Sequence, residues 1–132
     1  IYPKCTGAMF RECSNLVSLD ISMIDFSNII GNSGDDGTAN SMFYRASNLE
    51  NLIFGTNLGK GYSVSTNYVH ATFSLSDCTK LTHDSLMDVI NKIYDLASAN
   101  KNTQQLKLGE TNLAKLTEDE IAIATAKGWI VS

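Results

Sequence analysis

Two stretches of the chain carry the same order of apolar and polar residues, 33 positions apart. The first is MFRECSNLVSLDI, residues 9–21, and the second is MFYRASNLENLIF, residues 42–54. The shared positions are Met9, Phe10, Ser14, Asn15, Leu16 and Leu19, which return as Met42, Phe43, Ser47, Asn48, Leu49 and Leu52. A third copy begins at ATFSLSDCTKL, residues 71–81. Such a repeat indicates units that stack on one another, because a unit with one apolar face cannot bury it alone.

Alternating apolar and polar residues at the end of each copy are typical of short strands with one buried face. The alternation predicts strands near 17–21, 50–54 and 105–108, and a closing strand at 129–131. The residues predicted to face the core are Leu19, Ile21, Leu52, Phe54, Leu106 and Leu108. Helical segments separate the strands, and strands joined by helical crossovers form parallel sheets.

Two helices are predicted from the residues at their starts. Thr82 is placed to cap the first helix, whose apolar stripe at helical spacing runs from Leu86 to Ala97. Thr117 and Glu120 have the spacing of a capping box at the start of the second helix. Gly128 fits the position just past its end, where a positive φ is common.

The repeated residues resemble a known family. MFRECSNLVSLDIS and MFYRASNLENLIF are similar to the M-F-x-x-C-S-x-L-x-x-L-D-x-S units of BspA-like leucine-rich-repeat proteins of bacterial surfaces. The chain from residue 81 onward resembles the closing C-terminal module of such proteins. The fold that the resemblance implies is α/β, a right-handed leucine-rich-repeat-type solenoid. It would have a short parallel β-sheet with helices on the other face.

The resemblance also implies a domain organisation. Residues 1–132 would form a single solenoid domain and would be a fragment of a longer chain. Repeats are expected near 7–39, 40–69 and 70–109, followed by a helix–strand–helix–strand cap assigned to 110–132.

A non-catalytic role in adhesion is what the resemblance implies. The chain would recognise a host or neighbouring-cell protein or glycan, at the cell surface or outside the cell, and it would need no cofactor. Two alternatives stay open: a purely structural C-terminal cap of a longer solenoid, and a structural component of a phage or appendage. Self-association through an open N-terminal edge near Ile1–Cys5 would favour the second, because an uncovered edge exposes apolar surface and backbone.

The predicted binding face is the outward row of the sheet, where a rigid backbone presents every second side chain. The row consists of Ser18, Asp20, Ser22, Asn51, Ile53, Gln105 and Lys107. An ordinary solvated sheet face is the alternative interpretation of the same residues.

Charge and hydropathy exclude several partners. The net charge is −4 and no run of Lys or Arg occurs, so the sequence predicts no binding to nucleic acid. No apolar run approaches the roughly 18–20 residues that span a bilayer, so no membrane insertion is expected and the chain is predicted to be soluble.

Three cysteines, Cys5, Cys13 and Cys78, cannot all pair within the chain, and no C-x-x-C occurs. Cys13 and Cys78 occupy a repeat position that holds Ala46 in the middle copy. A position that accepts Cys or Ala is predicted to be small, apolar and buried, and a reactive thiol is the alternative.

One group of residues suggests nucleophilic catalysis: His70, Cys78, His83 and Asp84. A nucleophile needs a base within hydrogen-bond reach and an oxyanion site, and no local motif supplies either. The chain is therefore predicted not to be an enzyme.

The loop GNSGDDGTAN, residues 31–40, invites comparison with a calcium site. Laid on the EF-hand pattern, it places Gly34 and Phe43 where carboxylates are needed, so the comparison fails. A looser cation site at Asp35 and Asp36 stays open, and a turn explains these residues equally well. No metal is predicted.

Overall fold

The structure is a computed structural model, and it describes residues 7–29, 39–61 and 72–132. Five strands lie in these residues: β1 Ser18–Asp20, β2 Asn51–Ile53, β3 Thr72–Ser74, β4 Gln104–Lys107 and β5 Trp129–Val131. The helices are α1 His83–Lys92, α2 Glu110–Leu113 and α3 Glu118–Ala126, and short 3₁₀ turns cover Phe26–Asn28 and Ala39–Ser41.

The strands form two parallel sheets, one of β1 and β2 and one in the order β3–β4–β5. Leu19 lies opposite Leu52, and Phe73 lies opposite Leu106. Both pairs are 33 residues apart, so the spacing of the sequence repeat is also the register of two strand pairs.

The prediction of a solenoid is wrong. The described residues form a small α/β domain with two short sheets of two and three strands, and no solenoid is evident in them. The strand predicted at 105–108 was expected beside β2 in a single sheet with helices on its other face. Instead, β4 pairs with β3, a strand that the sequence analysis did not predict.

Helix α1 explains why the sheet does not continue past β2. Ser85 Oγ accepts a hydrogen bond from the backbone N–H of Leu52 at 2.9 Å. Asp88 accepts from the N–H of Phe54 at 2.7 Å, and Lys92 Nζ donates to the carbonyl of Phe54 at 3.0 Å. These side chains occupy the backbone groups that a further strand would use, because they follow one face of the helix along the edge of β2.

A chain of phenylalanine contacts joins the two sheets in one core. Phe54 lies 5.0 Å from Phe26 and 5.2 Å from Phe73, measured between ring centroids. Phe73 then meets Phe43 edge-on at 6.3 Å, and Phe43 stacks on Phe10 at 5.5 Å. Five residues predicted to face inward are buried, namely Ile21, Leu52, Phe54, Leu106 and Leu108, and Leu19 is half-buried.

The predicted start of α1 is confirmed, and its predicted length is wrong. The Thr82 side chain accepts from the N–H of Ser85, which caps the helix. The apolar stripe predicts a helix as far as Ala97, but α1 ends at Lys92. The N–H of Tyr94 bonds to the carbonyl of Leu58 at 2.9 Å, so the chain leaves the helix to pair with an earlier turn.

The predicted capping box of α3 is confirmed, with both the Thr117 and the Glu120 hydrogen bonds present. Gly128 follows the helix with φ +90°, a conformation that strains any residue with a Cβ. The glycine thus ends the helix and directs the chain into β5, the closing strand that the sequence predicts at 129–131.

The prediction for the cysteine position holds for the second and third copies only. Ala46 and Cys78 are fully buried, and the Cys78 thiol lies 3.7 Å from the carbonyl of Phe43 in the preceding copy. Cys13 is exposed, so its predicted burial is wrong. The reason is its place in the first copy, which has no preceding copy among the described residues.

Candidate functional site

The seven residues of the predicted binding row are divided between the two sheets. Those on or next to the β1–β2 sheet are all exposed, namely Ser18, Asp20, Ser22, Asn51 and Ile53. Gln105 and Lys107 lie on β4 in the other sheet. Gln105 is half-buried and accepts a hydrogen bond from the Thr72 hydroxyl at 3.1 Å.

Polar groups on the β1–β2 part of the row bond to one another. Asn51 Nδ2 donates to Ser18 Oγ at 3.4 Å, across the two copies. Asp20 accepts from the backbone N–H of Ser22 at 2.9 Å. Hydrogen bonds from the Ser22 side chain and backbone lower the pKa of Asp20, because they favour its charged form.

A concave surface opens around Tyr44, and we call it the Tyr44 cleft. It consists of two hollows, of about 290 and 580 Å³, which share Tyr44, Ser76 and Asp77 in their walls. The other lining residues are mostly hydroxylic or charged: Ser14, Ser41, Phe43, Arg45, Ser47, Ser74, Thr79 and Lys107. One residue of the predicted row, Lys107, therefore belongs to this cleft.

Both arginines of the chain lie over the ring of Tyr44. The Cζ atoms of Arg11 and Arg45 are 5.1 and 5.0 Å from the ring centroid. Glu12 Oε1 lies 3.6 Å from Arg11 Nε and 3.9 Å from a terminal nitrogen of Arg45. Stacking and pairing of this kind orient a guanidinium, and its five N–H donors exceed what one shared carboxylate oxygen can accept. The arrangement presents two oriented donors beside a partly exposed aromatic ring.

The backbone fixes the positions of Glu12 and Arg45. Both residues have a left-handed conformation, with φ of 60° and 57°. The N–H of Glu12 donates to the carbonyl of Tyr44 at 2.7 Å, and the N–H of Arg45 donates to the Asp77 carboxylate at 3.0 Å. A residue with a side chain loses roughly 1 kcal/mol or more in this conformation. Acceptors from the next copy hold both residues in it.

Sequence analysis did not single out Tyr44 or the two arginines. The signal was present, because Arg11 and Tyr44 occupy equivalent positions of the first two copies, and so do Glu12 and Arg45. Parallel pairing at an offset of 33 residues brings equivalent positions side by side. An alignment of the copies that included their charged and aromatic residues would therefore have predicted this cluster.

A second groove, of about 420 Å³, runs between β2 and α1. It contains Asn51 and Ile53 of the predicted row. Ser85 and Asp88 in its wall already bond to the edge of β2, and Asp88 pairs with Lys92 at 2.8 Å. Because these polar groups already form hydrogen bonds and an ion pair within the protein, we assign the groove a role in packing α1 against β2. The Tyr44 cleft is therefore the better candidate site.

Two of the residues that suggested nucleophilic catalysis, Cys78 and His83, have contacts that fit a structural role. Burial raises the pKa of the Cys78 thiol to about 12, with a further contribution from Asp77, so the thiolate is disfavoured. His83 Nε2 lies 2.8 Å from Glu120 Oε1, and this hydrogen bond raises the pKa of His83. In the part of the chain that the structure describes, no three His, Cys, Asp or Glu side chains are grouped to hold a metal ion.

Several predictions fall on residues outside the described ranges: the N-terminal edge at Ile1–Cys5, the cation site at Asp35 and Asp36, and His70. Across 7–29, 39–61 and 72–132, the helices are too short or too polar to cross a membrane.

Comparisons of the chain with models of known protein families, with curated proteins and with solved structures found no match. The resemblance to BspA-like proteins therefore stays a prediction from the repeat motif. The geometry of the Tyr44 cleft is the ground on which a function is proposed.

Proposed function

We propose that this chain is a non-catalytic binding module that recognises a glycan in the Tyr44 cleft. The observation that carries the proposal is the position of both arginines over the Tyr44 ring, in a cleft whose other lining residues are mostly serines and threonines. Sugars present hydroxyl groups around a ring with apolar C–H edges. An aromatic side chain with 38% of its surface exposed, surrounded by hydroxyl and guanidinium donors, complements both features.

A glycan fits this cleft better than a protein surface does. Stable protein–protein interfaces bury about 800 Å² on each partner and have an apolar core. The most exposed large apolar side chains of the described residues are Met23 and Ile53, at 68% and 47%. Ile53 lies in β2, and Met23 follows β1 by three residues. A protein ligand would therefore be expected on the β1–β2 sheet, which makes the two ligand classes separable by mutation.

The proposal includes a place of action. A module that binds glycans in adhesion acts at the cell surface or outside the cell, toward a host or a neighbouring cell. The support for this part is the motif resemblance, and no cofactor is proposed.

A structural role is the second candidate, and it rests on the C-terminal lysines. Lys115 Nζ donates to the carbonyl of Leu81 at 2.7 Å, just before α1. Lys127 Nζ donates to the carbonyl of Asn91 at 2.7 Å, at the other end of the same helix. Contacts of this kind are expected of a segment whose task is to close the fold over the units before it.

Binding of the chain to an array of oligosaccharides and extracellular-matrix proteins tests the proposal. We expect saturable glycan binding that weakens about tenfold or more in Tyr44→Ala, because the ring and the orientation of both arginines are lost. Asp20→Arg, on the β1–β2 sheet, is the control and should bind like the wild type.

Three outcomes would contradict the proposal. Binding that is lost in Asp20→Arg and kept in Tyr44→Ala would assign recognition to the predicted sheet row. Saturable binding to proteins alone would assign a protein ligand. A chain that is folded by circular dichroism and binds nothing would favour the structural role.

A further inference from the structure

We infer that the Tyr44 cleft selects saccharides that carry a carboxylate, an inference that rests on the proposed function. Planar guanidinium groups match carboxylates with two parallel hydrogen bonds, a geometry that Lys does not offer. The chain has only two arginines, and both lie over the ring of Tyr44. Each guanidinium has five N–H donors, and within the described residues both pair with one oxygen of Glu12, so donors remain for a planar anion.

The charge of the cleft supports an anionic ligand. Arg11, Arg45 and Lys107 supply three cations in or beside the cleft, and Glu12 and Asp77 supply two carboxylates. One positive charge remains here, while the chain as a whole carries −4. A local positive excess on an acidic protein attracts an anion to this surface in preference to the rest of the molecule.

The carboxylates of Glu12 and Asp77 do not prevent the guanidinium groups from binding a ligand carboxylate. Asp77 accepts a hydrogen bond from the backbone N–H of Arg45, and this bond stabilises the left-handed conformation of Arg45. Glu12 uses one oxygen for contacts to both guanidinium groups, at 3.6 and 3.9 Å, which are long distances for charge-assisted hydrogen bonds. A ligand carboxylate can therefore form shorter and better aligned bonds than the internal contacts.

The cleft is suited to more than one sugar ring. Arg45 lines the larger hollow and Lys107 the smaller, while Tyr44 lines both. A ligand that spans the two hollows passes the aromatic ring and meets a cation at either end. We therefore expect an oligosaccharide, with a carboxylate at the arginines.

Matched oligosaccharides provide the test: an oligouronate, the same oligomer with its carboxylates reduced to hydroxymethyl groups, and a sulfated oligomer of equal length. We expect the wild-type chain to bind the oligouronate at least about tenfold more tightly than the reduced oligomer. The preference should weaken at high salt, because exposed charges are screened. Arg45→Gln should abolish the preference.

Two further variants make the result interpretable. Lys60→Gln removes the same charge from an exposed residue that lines neither hollow, so it should keep the preference. Arg45→Gly also removes the guanidinium, and a φ of 57° suits glycine, so this variant should fold even if Arg45→Gln does not.

The outcomes separate this inference from the proposed function. Equal binding of the acidic and reduced oligomers would overturn the inference and leave glycan recognition in place. Tight binding of the sulfated oligomer alone would overturn the carboxylate preference. No binding of any saccharide by the folded chain would overturn the proposed function itself.

Discussion

Asn112 is a fully buried polar residue whose side chain joins three parts of the chain. Its Nδ2 donates to the carbonyls of Leu108, Leu75 and Cys78, at 3.0, 3.2 and 3.3 Å. Buried carbonyls without a donor are costly, since no water replaces the lost hydrogen bond.

We predict that Asn112→Ala lowers the free energy of unfolding by about 2–3 kcal/mol, because several buried carbonyls lose one donor. Urea unfolding followed by circular dichroism measures the change. The control is Asn91→Ala, at an exposed residue of α1, which should stay within about 0.5 kcal/mol of the wild type. Equal losses in the two variants would contradict the role given to Asn112.

Single residues differ in how well the sequence predicts them. Burial of Cys78 was predicted from Ala46 at the equivalent position of the middle copy, because equivalent positions of a repeat are expected to have similar surroundings. Exposure of Cys13 did not follow, because the environment also depends on which copy precedes the position. Tyr44 was missed for a different reason: its importance comes from Arg11, 33 residues away, and only an alignment of the copies that includes their charged and aromatic residues pairs the two.

At the scale of elements, the meeting of α1 with the edge of β2 is the feature that organises the fold. Ser85, Asp88 and Lys92 replace the backbone groups of a third strand. Polar side chains can do this only where a helix lies parallel to an edge closely enough to bond to it. The arrangement ends the first sheet at two strands.

We predict that Asp88→Ala speeds hydrogen exchange of the Phe54 amide about tenfold or more, because that N–H loses a charged acceptor at 2.7 Å. Exchange measured by NMR resolves the effect at the single amide. Asp84→Ala is the matched control, since this carboxylate on the same helix is fully exposed. Unchanged exchange at Phe54 in Asp88→Ala would show that the helix does not seal the edge.

Helix starts were predictable from sequence, and the pairing of strands was not. Thr82 and the Thr117–Glu120 pair act on backbone groups three residues away, so their signals are local. The alternation of apolar and polar residues indicates which side of a strand is buried, but it does not identify the strand with which it pairs. The sequence repeat aligns Phe73 with Phe10 at the start of the first copy, where the structure has a turn and not a strand, so β3 was not predicted. Without β3, β4 had no evident partner but β2.

At the scale of the whole molecule, the C-terminal part is joined to the rest through α1. His83 at the start of α1 pairs with Glu120 in the first turn of α3. The hydrogen bond that His83 donates to the Glu120 carboxylate raises the pKa of His83 above its ordinary 6.5. The pKa of Glu120 is lowered, chiefly by the backbone N–H of Thr117 and then by His83.

These shifts predict a pH dependence of stability. The raised pKa means that the folded protein holds the His83 proton more tightly, so its contribution is full below 6.5 and is lost as the pH rises through the folded pKa. The lowered pKa of Glu120 adds stability above 4.5 that is lost as the pH falls through its folded pKa. We therefore expect His83→Gln to destabilise the protein more at pH ~5.5 than at pH ~8.5.

Urea unfolding of the wild type and His83→Gln at both pH values measures this difference. Asp84→Asn serves as the control, because its carboxylate is the more distant of the two near His83, at 3.6 Å against 2.8 Å for Glu120. An equal effect of His83→Gln at the two pH values would mean that the charged pair contributes nothing to the joint between α1 and α3.

The position of α1 along the edge of β2 also affects the tendency of the protein to aggregate at high concentration. An unpaired strand offers a template on which another chain can add, and fibrils grow by repetition of that step. With Ser85 bonded to the Leu52 amide and Asp88 bonded to the Phe54 amide just after β2, this edge of the sheet offers no such template. The side chains that limit the sheet to two strands thus also protect this edge against the addition of another chain, and weakening them should make the protein more prone to form fibrils.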